Sequence, residues 1–252
     1  MGKGVTCSEE SAIGRQLNDW YGQPLGRMLA AAEQAALDAV LPNIFGYHLL
    51  QAGHAVSPLY GASRILHRAV MASATDVGGP ETAVYGDLDA LPVVADSLDA
   101  LILHHALEFA ADPRQVLREA ERVLVAEGQL VLVGFNPYSL WGLWRRLRLR
   151  RRSVPWCGRF IGLPRIKDWL SLLGFEVVQV RHVFFRPPLG RMALQTRLSL
   201  IESWGARWWP VLGGVYVISA RKKAMTLTPI KPRWRPRRAR VGLADPAARS
   251  RT

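Results

Sequence analysis

The chain has 252 residues, 49% of them hydrophobic; that is enough to bury the core of one large domain, and it contains no run of about 18 uncharged apolar residues able to span a bilayer. A net charge of +13 suggests a nucleic-acid binder until it is located: residues 221–252 hold eleven Lys or Arg against Asp245 alone, and residues 1–220 are nearly balanced even with the six arginines between Arg145 and Arg152. Cys7 and Cys157 sit in neither CxxC nor metal-type spacing, so no disulfide framework and no metal is expected, and the thiols should be reduced in a cytoplasmic chain that lacks a signal peptide.

In chain order, residues 1–15 carry no clear pattern and are expected to be poorly ordered. A helix follows over about 25–41, with Met28, Leu29, Ala32, Ala36, Leu37 and Val40 on one face; it should pack on a sheet edge or roof a binding site. Trp20 and Tyr21, just before it, are either core or ligand contacts. Strands are expected at 45–53, 68–72 and 82–85, the last two separated by the Gly78-Gly79-Pro80 loop. Residues 98–103 and 129–135 are short, nearly apolar runs, which suit strands covered on both faces. Between these two, Asp112 can cap a helix, Pro113 suits its first turn and Gln115 has the position of a capping box. Val116, Leu117, Ala120, Val123 and Leu124 share one helical face, and Gly128 is well placed to end it.

Strand, crossover helix and strand imply a right-handed parallel pair in an α/β sheet, whose ligands bind at the carboxyl ends of the strands. Asp87, His104, His105, Glu108, Asn136 and Tyr138 stand at those ends. Histidine suits a general base, because its ordinary pKa lies near neutrality. Successive strand residues point to opposite faces, so at most one of His104 and His105 is expected to face the site. Glu108 is a base, a substrate ligand or a helix-start carboxylate.

Residues 137–152 carry Leu140, Leu143 or Trp144, and Leu147 on one side of a basic helix. Such a helix fits an anionic membrane surface or a lid over an anionic substrate; it also fits an insertion with a solvated arginine face. A helix over 164–173 ends at Gly174, a long strand is expected over 175–185 and another helix over 191–209, and 213–220 reads as a last strand. From residue 222 on, the chain is rich in proline and arginine, has little to bury and is expected to be disordered, able to bind nucleic acid or lipid non-specifically.

Several of these residues together carry a resemblance. Gly86-Asp87-Leu88, Ala90-Leu91-Pro92, Asp96-Ser97-Leu98-Asp99, His104-His105-Ala106-Leu107-Glu108, Arg122-Val123-Leu124 and Glu127-Gly128 resemble, in order and spacing, the central block of class I S-adenosylmethionine-dependent methyltransferases of the type 11 group. The resemblance implies a Rossmann-like α/β fold: a seven-stranded, mostly parallel sheet with an antiparallel final strand and helices on both faces. It implies S-adenosyl-L-methionine as cofactor and one domain over about 16–221, with a basic insertion at about 137–160.

By the same resemblance, Gln51 and Gly53 would hold the methionine half of the cofactor, and Asp87 and the Leu88 amide the adenine. His104 or His105 would face the methyl transfer. The family's acidic residue and three alternate glycines correspond here to Gln51, Gly53, Ala55 and Ser57, so only one glycine remains. The ribose acid has only Asp76, late in its loop, as a candidate. Some relatives place a metal-binding histidine directly after the counterpart of Glu108; Phe109 stands there instead. The expected function is methyl transfer to an unidentified acceptor, with a small molecule favoured. The alternatives are a non-catalytic scaffold on the same fold, or a peripheral membrane or nucleic-acid binding module using Arg145 to Arg152 and the tail.

Overall fold

The computed structural model describes residues 7–53, 58–72, 82–147, 154–188 and 209–224. Its strands are β1 (His48–Gly53), β2 (His67–Ala72), β3 (Thr82–Tyr85), β4 (Leu98–His104), β5 (Leu124–Phe135), β6 (Phe175–Val183) and β7 (Val215–Lys222). They form one sheet in the order β3-β2-β1-β4-β5-β7-β6. Every pair from β3 to β5 is parallel, and β7 inserts antiparallel between β5 and β6. The expected seven-stranded α/β sheet is therefore the one observed. The helices are α1 (Cys7–Tyr21), α2 (Pro24–Asp38), α3 (Pro113–Val123), α4 (Leu140–Leu147) and α5 (Leu163–Leu172).

Alternation along the central strands divides the core into two layers. Ala100 and Ile102 of β4 and Val131, Val133 and Phe135 of β5 face α1 and α2, where Leu17, Leu29 and Leu37 are buried. Leu101 and Leu103, with Leu130 and Leu132, face α3 and α5 through Val116, Leu117, Ile166 and Leu170. Both faces of β4 and β5 are covered, which is why their sequences read as continuous apolar runs rather than alternating ones. The insertion belongs to the first layer: Trp141 of α4, Trp156 and Phe160 are buried with Trp20 and Phe184. Trp20 meets Trp141 edge-on at a ring separation of 6.0 Å, so Trp20 is core.

The structure corrects five expectations. Much of the N-terminal segment is helical: Ile13, Leu17, Trp20 and Tyr21 are buried at helical spacing, and α1 begins at Cys7. Helix α3 stops at Val123, not at Gly128, because the residues before β4 take its last carbonyls: Asp96 N–H donates to Arg122 O and Ser97 N–H to Val123 O, both at 2.9 Å. The chain passes directly into β5, and Glu127, at φ 65°, absorbs the irregularity. Asp112 does cap α3, accepting from Arg114 N–H at 2.9 Å, but Gln115 makes no capping box; its amide donates to Asp89 O. On α4 the expected apolar side, Leu140, Leu143 and Leu147, is exposed, and it is Trp141 that turns inward. The ordered body also continues past residue 221, since Lys222 closes β7 with its ammonium donating to Glu121 O and Leu124 O at 2.7 and 2.8 Å. Ala55, Ser57, Asp76, the arginines at 148–152, the helix expected over 191–209 and the tail beyond 224 lie outside the described residues.

Candidate active site

The carboxyl end of β1 meets that of β4 at Gly53, which pairs with His104 across the sheet. Gly53 adopts φ +121°, and a Cβ there would run into the His104 carbonyl oxygen. Only glycine satisfies both the left-handed backbone and the close approach. Two residues earlier, the buried Gln51 turns its amide oxygen to Leu59 N–H at 2.7 Å, so this side chain ties down the segment that returns after the loop. Beyond β3, Asp87 is exposed and its backbone bridges to Ala90, forming a tight turn through Leu88. The Asp87 carboxylate has no side-chain partner among the described residues, which leaves it open to a ligand at the strand end.

His104 and His105 do not diverge as strand residues normally do. His105 takes φ +46° as the strand ends, and this left-handed turn swings its ring to the same side as that of His104. Both rings point at α2, where a residue with no role in the sequence reading, Glu33, is fully buried. Its carboxylate accepts from His104 Nε2 at 3.1 Å, from His105 Nε2 at 2.9 Å and from the Tyr21 hydroxyl at 3.0 Å. Glu108 completes the cluster, with Oε1 at 3.1 Å from His105 Nδ1 and accepting from Phe135 N–H at 2.7 Å. His105 also stacks on the Phe135 ring at 4.1 Å.

The two imidazoles differ in charge. Burial pushes the pKa of each ring down, but His105 is held between two carboxylates, Glu33 and Glu108, which outweigh burial and lift it to about 9. It is an imidazolium at neutral pH. His104, for which burial wins and the His105 charge adds to it, is lowered and neutral. Burial raises Glu33, yet the His105 charge and the two imidazole hydrogen bonds bring its carboxyl well below the usual range. Since an ionised carboxylate only accepts, His104 carries its proton on Nε2, and its Nδ1 is a bare lone pair. Among the described residues, that buried Nδ1 has no hydrogen-bond partner, and neither does Glu108 Oε2. Glu33, His104 and His105 also present donor atoms within 4.8 Å of one another, a spacing that can hold a metal ion; the same atoms are already joined in the hydrogen-bond network.

Glu33 has one sequence signal. It lies four residues after Leu29 and four before Leu37, so a charged side chain interrupts the buried stripe of α2. Asn136 proves to be a brace: its amide donates to Val211 O and Gly213 O, and its oxygen accepts from Tyr138 N–H.

A sheet of this order with an antiparallel seventh strand, a glycine pinched at the end of β1 and an open carboxylate after β3 defines the class I methyltransferase fold. A family model described as "Methyltransferase domain" matches residues 62–132. The chain is 33% identical over 216 residues, 84% of each chain, to the uncharacterized protein YafS of Escherichia coli. Among solved structures, an S-adenosylmethionine-dependent methyltransferase of Thermotoga maritima matches 86% of this chain and 100% of its own at TM-score 0.60 and 18% identity. One from Archaeoglobus fulgidus matches 75% and 92% at TM-score 0.51 and 17% identity; these two likenesses bear on the fold. The chain belongs to one family with YafS, and its residues 62–132 match a methyltransferase domain of the type 11 group.

Proposed function

We propose that this chain catalyses methyl transfer from S-adenosylmethionine to a small-molecule acceptor at the carboxyl ends of β1, β3 and β4, beneath α2, within a single domain that includes α1. The observation that carries this reading is the end of β1, where Gly53 combines a positive φ with an approach to the His104 backbone that admits no Cβ. When bound, S-adenosylmethionine supplies a methyl on a positively charged sulfur, already strongly activated toward a nucleophile. Gly53 lets the backbone approach the methionine half. Asp87 and the Leu88 N–H would hold the adenine. Gln51 acts at one remove by holding Leu59.

With an electrophile this strong, positioning supplies most of the acceleration. His105, protonated and hydrogen-bonded on both nitrogens, is no base; it fixes Glu33 and Glu108. His104 is the proton acceptor. Glu33 holds its Nε2 proton, which leaves the Nδ1 lone pair to take a proton from the acceptor atom. Glu108 is a positioning residue for His105.

Calorimetric titration with S-adenosylmethionine and S-adenosylhomocysteine tests the reading. Binding in the micromolar range is expected, weakened at least tenfold by Asp87→Ala and by Gly53→Val. A folded protein that binds neither compound overturns it. Imidazole 15N shifts at neutral pH test the roles: a neutral His104 and a doubly protonated His105 are expected, and the reverse pattern would remove His104 as the base.

A further inference from the structure

On the other side of these strand ends, between the N-termini of α3 and α5, lies an open cleft of about 650 Å³. Among the described residues, five guanidinium groups line it, from Arg114, Arg118, Arg146, Arg159 and Arg165, against a single carboxylate, Asp112. Asp112 is already engaged as the cap of α3 and as the partner of Arg118 at 3.3 Å. The Arg114 guanidinium lies over the Trp169 ring, 5.1 Å from its centroid. Arg146, Arg159 and Arg165 are exposed and have no carboxylate partner among the described residues. Some basic groups elsewhere on the described surface are paired, Arg122 with Glu119, Arg221 with Glu127, and Lys222 with Asp96 and Glu121; what sets the cleft apart is that five guanidinium groups share one concavity. A concave surface that gathers this many like charges is repulsive to itself and attractive to an anion.

We infer that this cleft binds the phosphate or diphosphate group of the methyl acceptor, a phosphorylated small molecule with a planar part; the inference rests on the methyltransferase reading above. Guanidinium is the side chain whose geometry matches phosphate oxygens two at a time. The cleft has the volume of a small-molecule site, roughly 300–1,000 Å³, whereas a nucleic-acid strand needs an extended basic groove. Tyr138 also lines it and is 59% exposed, which offers an aromatic face to a ring.

The cleft adjoins the buried cluster. Arg159 N–H donates to the Glu108 carbonyl at 2.7 Å, and Tyr138 lies two residues beyond Asn136 at the end of β5. The cleft therefore borders the segment that follows β4.

The test is calorimetric titration of the full chain with inorganic pyrophosphate, with S-adenosylmethionine titrated in parallel. Saturable pyrophosphate binding is expected, weakened at least tenfold in the double variant Arg159→Ala/Arg165→Ala. The Arg159→Lys/Arg165→Lys protein should lose less, since it keeps the charge and gives up only the paired donors. Affinity for S-adenosylmethionine should stay within threefold in both variants, which also reports that they are folded.

Failure to bind pyrophosphate, or equal binding by wild type and the alanine variant, overturns the site. Binding of a 20-nucleotide RNA or of phosphatidylglycerol vesicles that the alanine variant loses and pyrophosphate fails to compete overturns the small-molecule assignment. Absence of S-adenosylmethionine binding in all three proteins would instead remove the methyltransferase reading, while the pyrophosphate isotherms still decide the anion site.

Discussion

Two groups of charged side chains flank the strand ends, and they are built on opposite terms. On the α2 side, Glu33, His104, His105 and Glu108 are almost wholly excluded from water, and both carboxylates and both rings are joined in one network. On the α3–α5 side, the arginines of the cleft are exposed and largely unpaired. A buried charge without a partner is costly enough to prevent folding, so the cluster has to satisfy itself internally. An exposed guanidinium is already satisfied by water and can be left for a ligand. The first group therefore holds the fold around His104 and the second is free to serve recognition, and removing Glu33 on one side or the cleft arginines on the other should separate stability from binding.

The largest effect is expected from Glu33→Ala. It leaves His104 without its acceptor and His105 with one carboxylate in place of two, and breaking a buried pair in this way costs about 3–5 kcal/mol. Urea denaturation reads this directly, and a loss under about 1 kcal/mol would mean that the cluster is not a stabilising network.

Next comes the pH dependence of stability. The folded-state pKa of His105, about 9, lies above its ordinary 6.5. Its stabilisation is therefore complete below about pH 6.5 and is lost as pH rises through 9, on the order of 3 kcal/mol in all. Denaturation midpoints between pH 6 and 10 should fall across that window in the wild type and much less in His105→Asn. Parallel curves for the two proteins would break the contrast between the two sides.

The smallest effect is expected on the cleft side, where Arg159→Ala and Arg165→Ala should change stability by less than about 0.5 kcal/mol, as surface substitutions do. Thermal denaturation checks this. A large loss would make these arginines structural and place them with the first group.

Much of the fold was legible because its signals are local. The apolar runs of β4 and β5, the Asp112 cap and Pro113 at the start of α3, and Gly174 at φ +80° after α5 each act within a few residues. Errors came where a distant partner outcompeted a local preference. Val123 and Leu124 would continue a helix by pattern, but the loop before β4 captures the last helical carbonyls, and β4 draws Leu124 into the sheet by pairing it with Leu98. Leu140, Leu143 and Leu147 form the more obvious apolar side of α4, yet Trp141 finds the aromatic pocket of Phe135, Trp156 and Phe184.

The candidate site divides the same way. Gly53, Asp87, Leu88, His104, His105 and Glu108 could be placed at strand ends from sequence, since a period of two and an ordered string of motifs suffice for that. Sequence alone, however, turned the two histidines apart and passed over Glu33. Their common direction depends on a left-handed residue at the end of β4. The role of Glu33 depends on how α2 lies across the sheet, 71 residues away in the chain from His104. The sequence by itself determined the parallel pair β4 and β5 and the crossover helix between them, because backbone geometry and hydrophobic periodicity are short-range; the rest of the sheet and the family were implied by the resemblance that its ordered motifs carry. Which imidazole carries charge and which arginines stay unpaired was decided only by the tertiary structure, because protonation and pairing depend on burial and on neighbours brought together by packing.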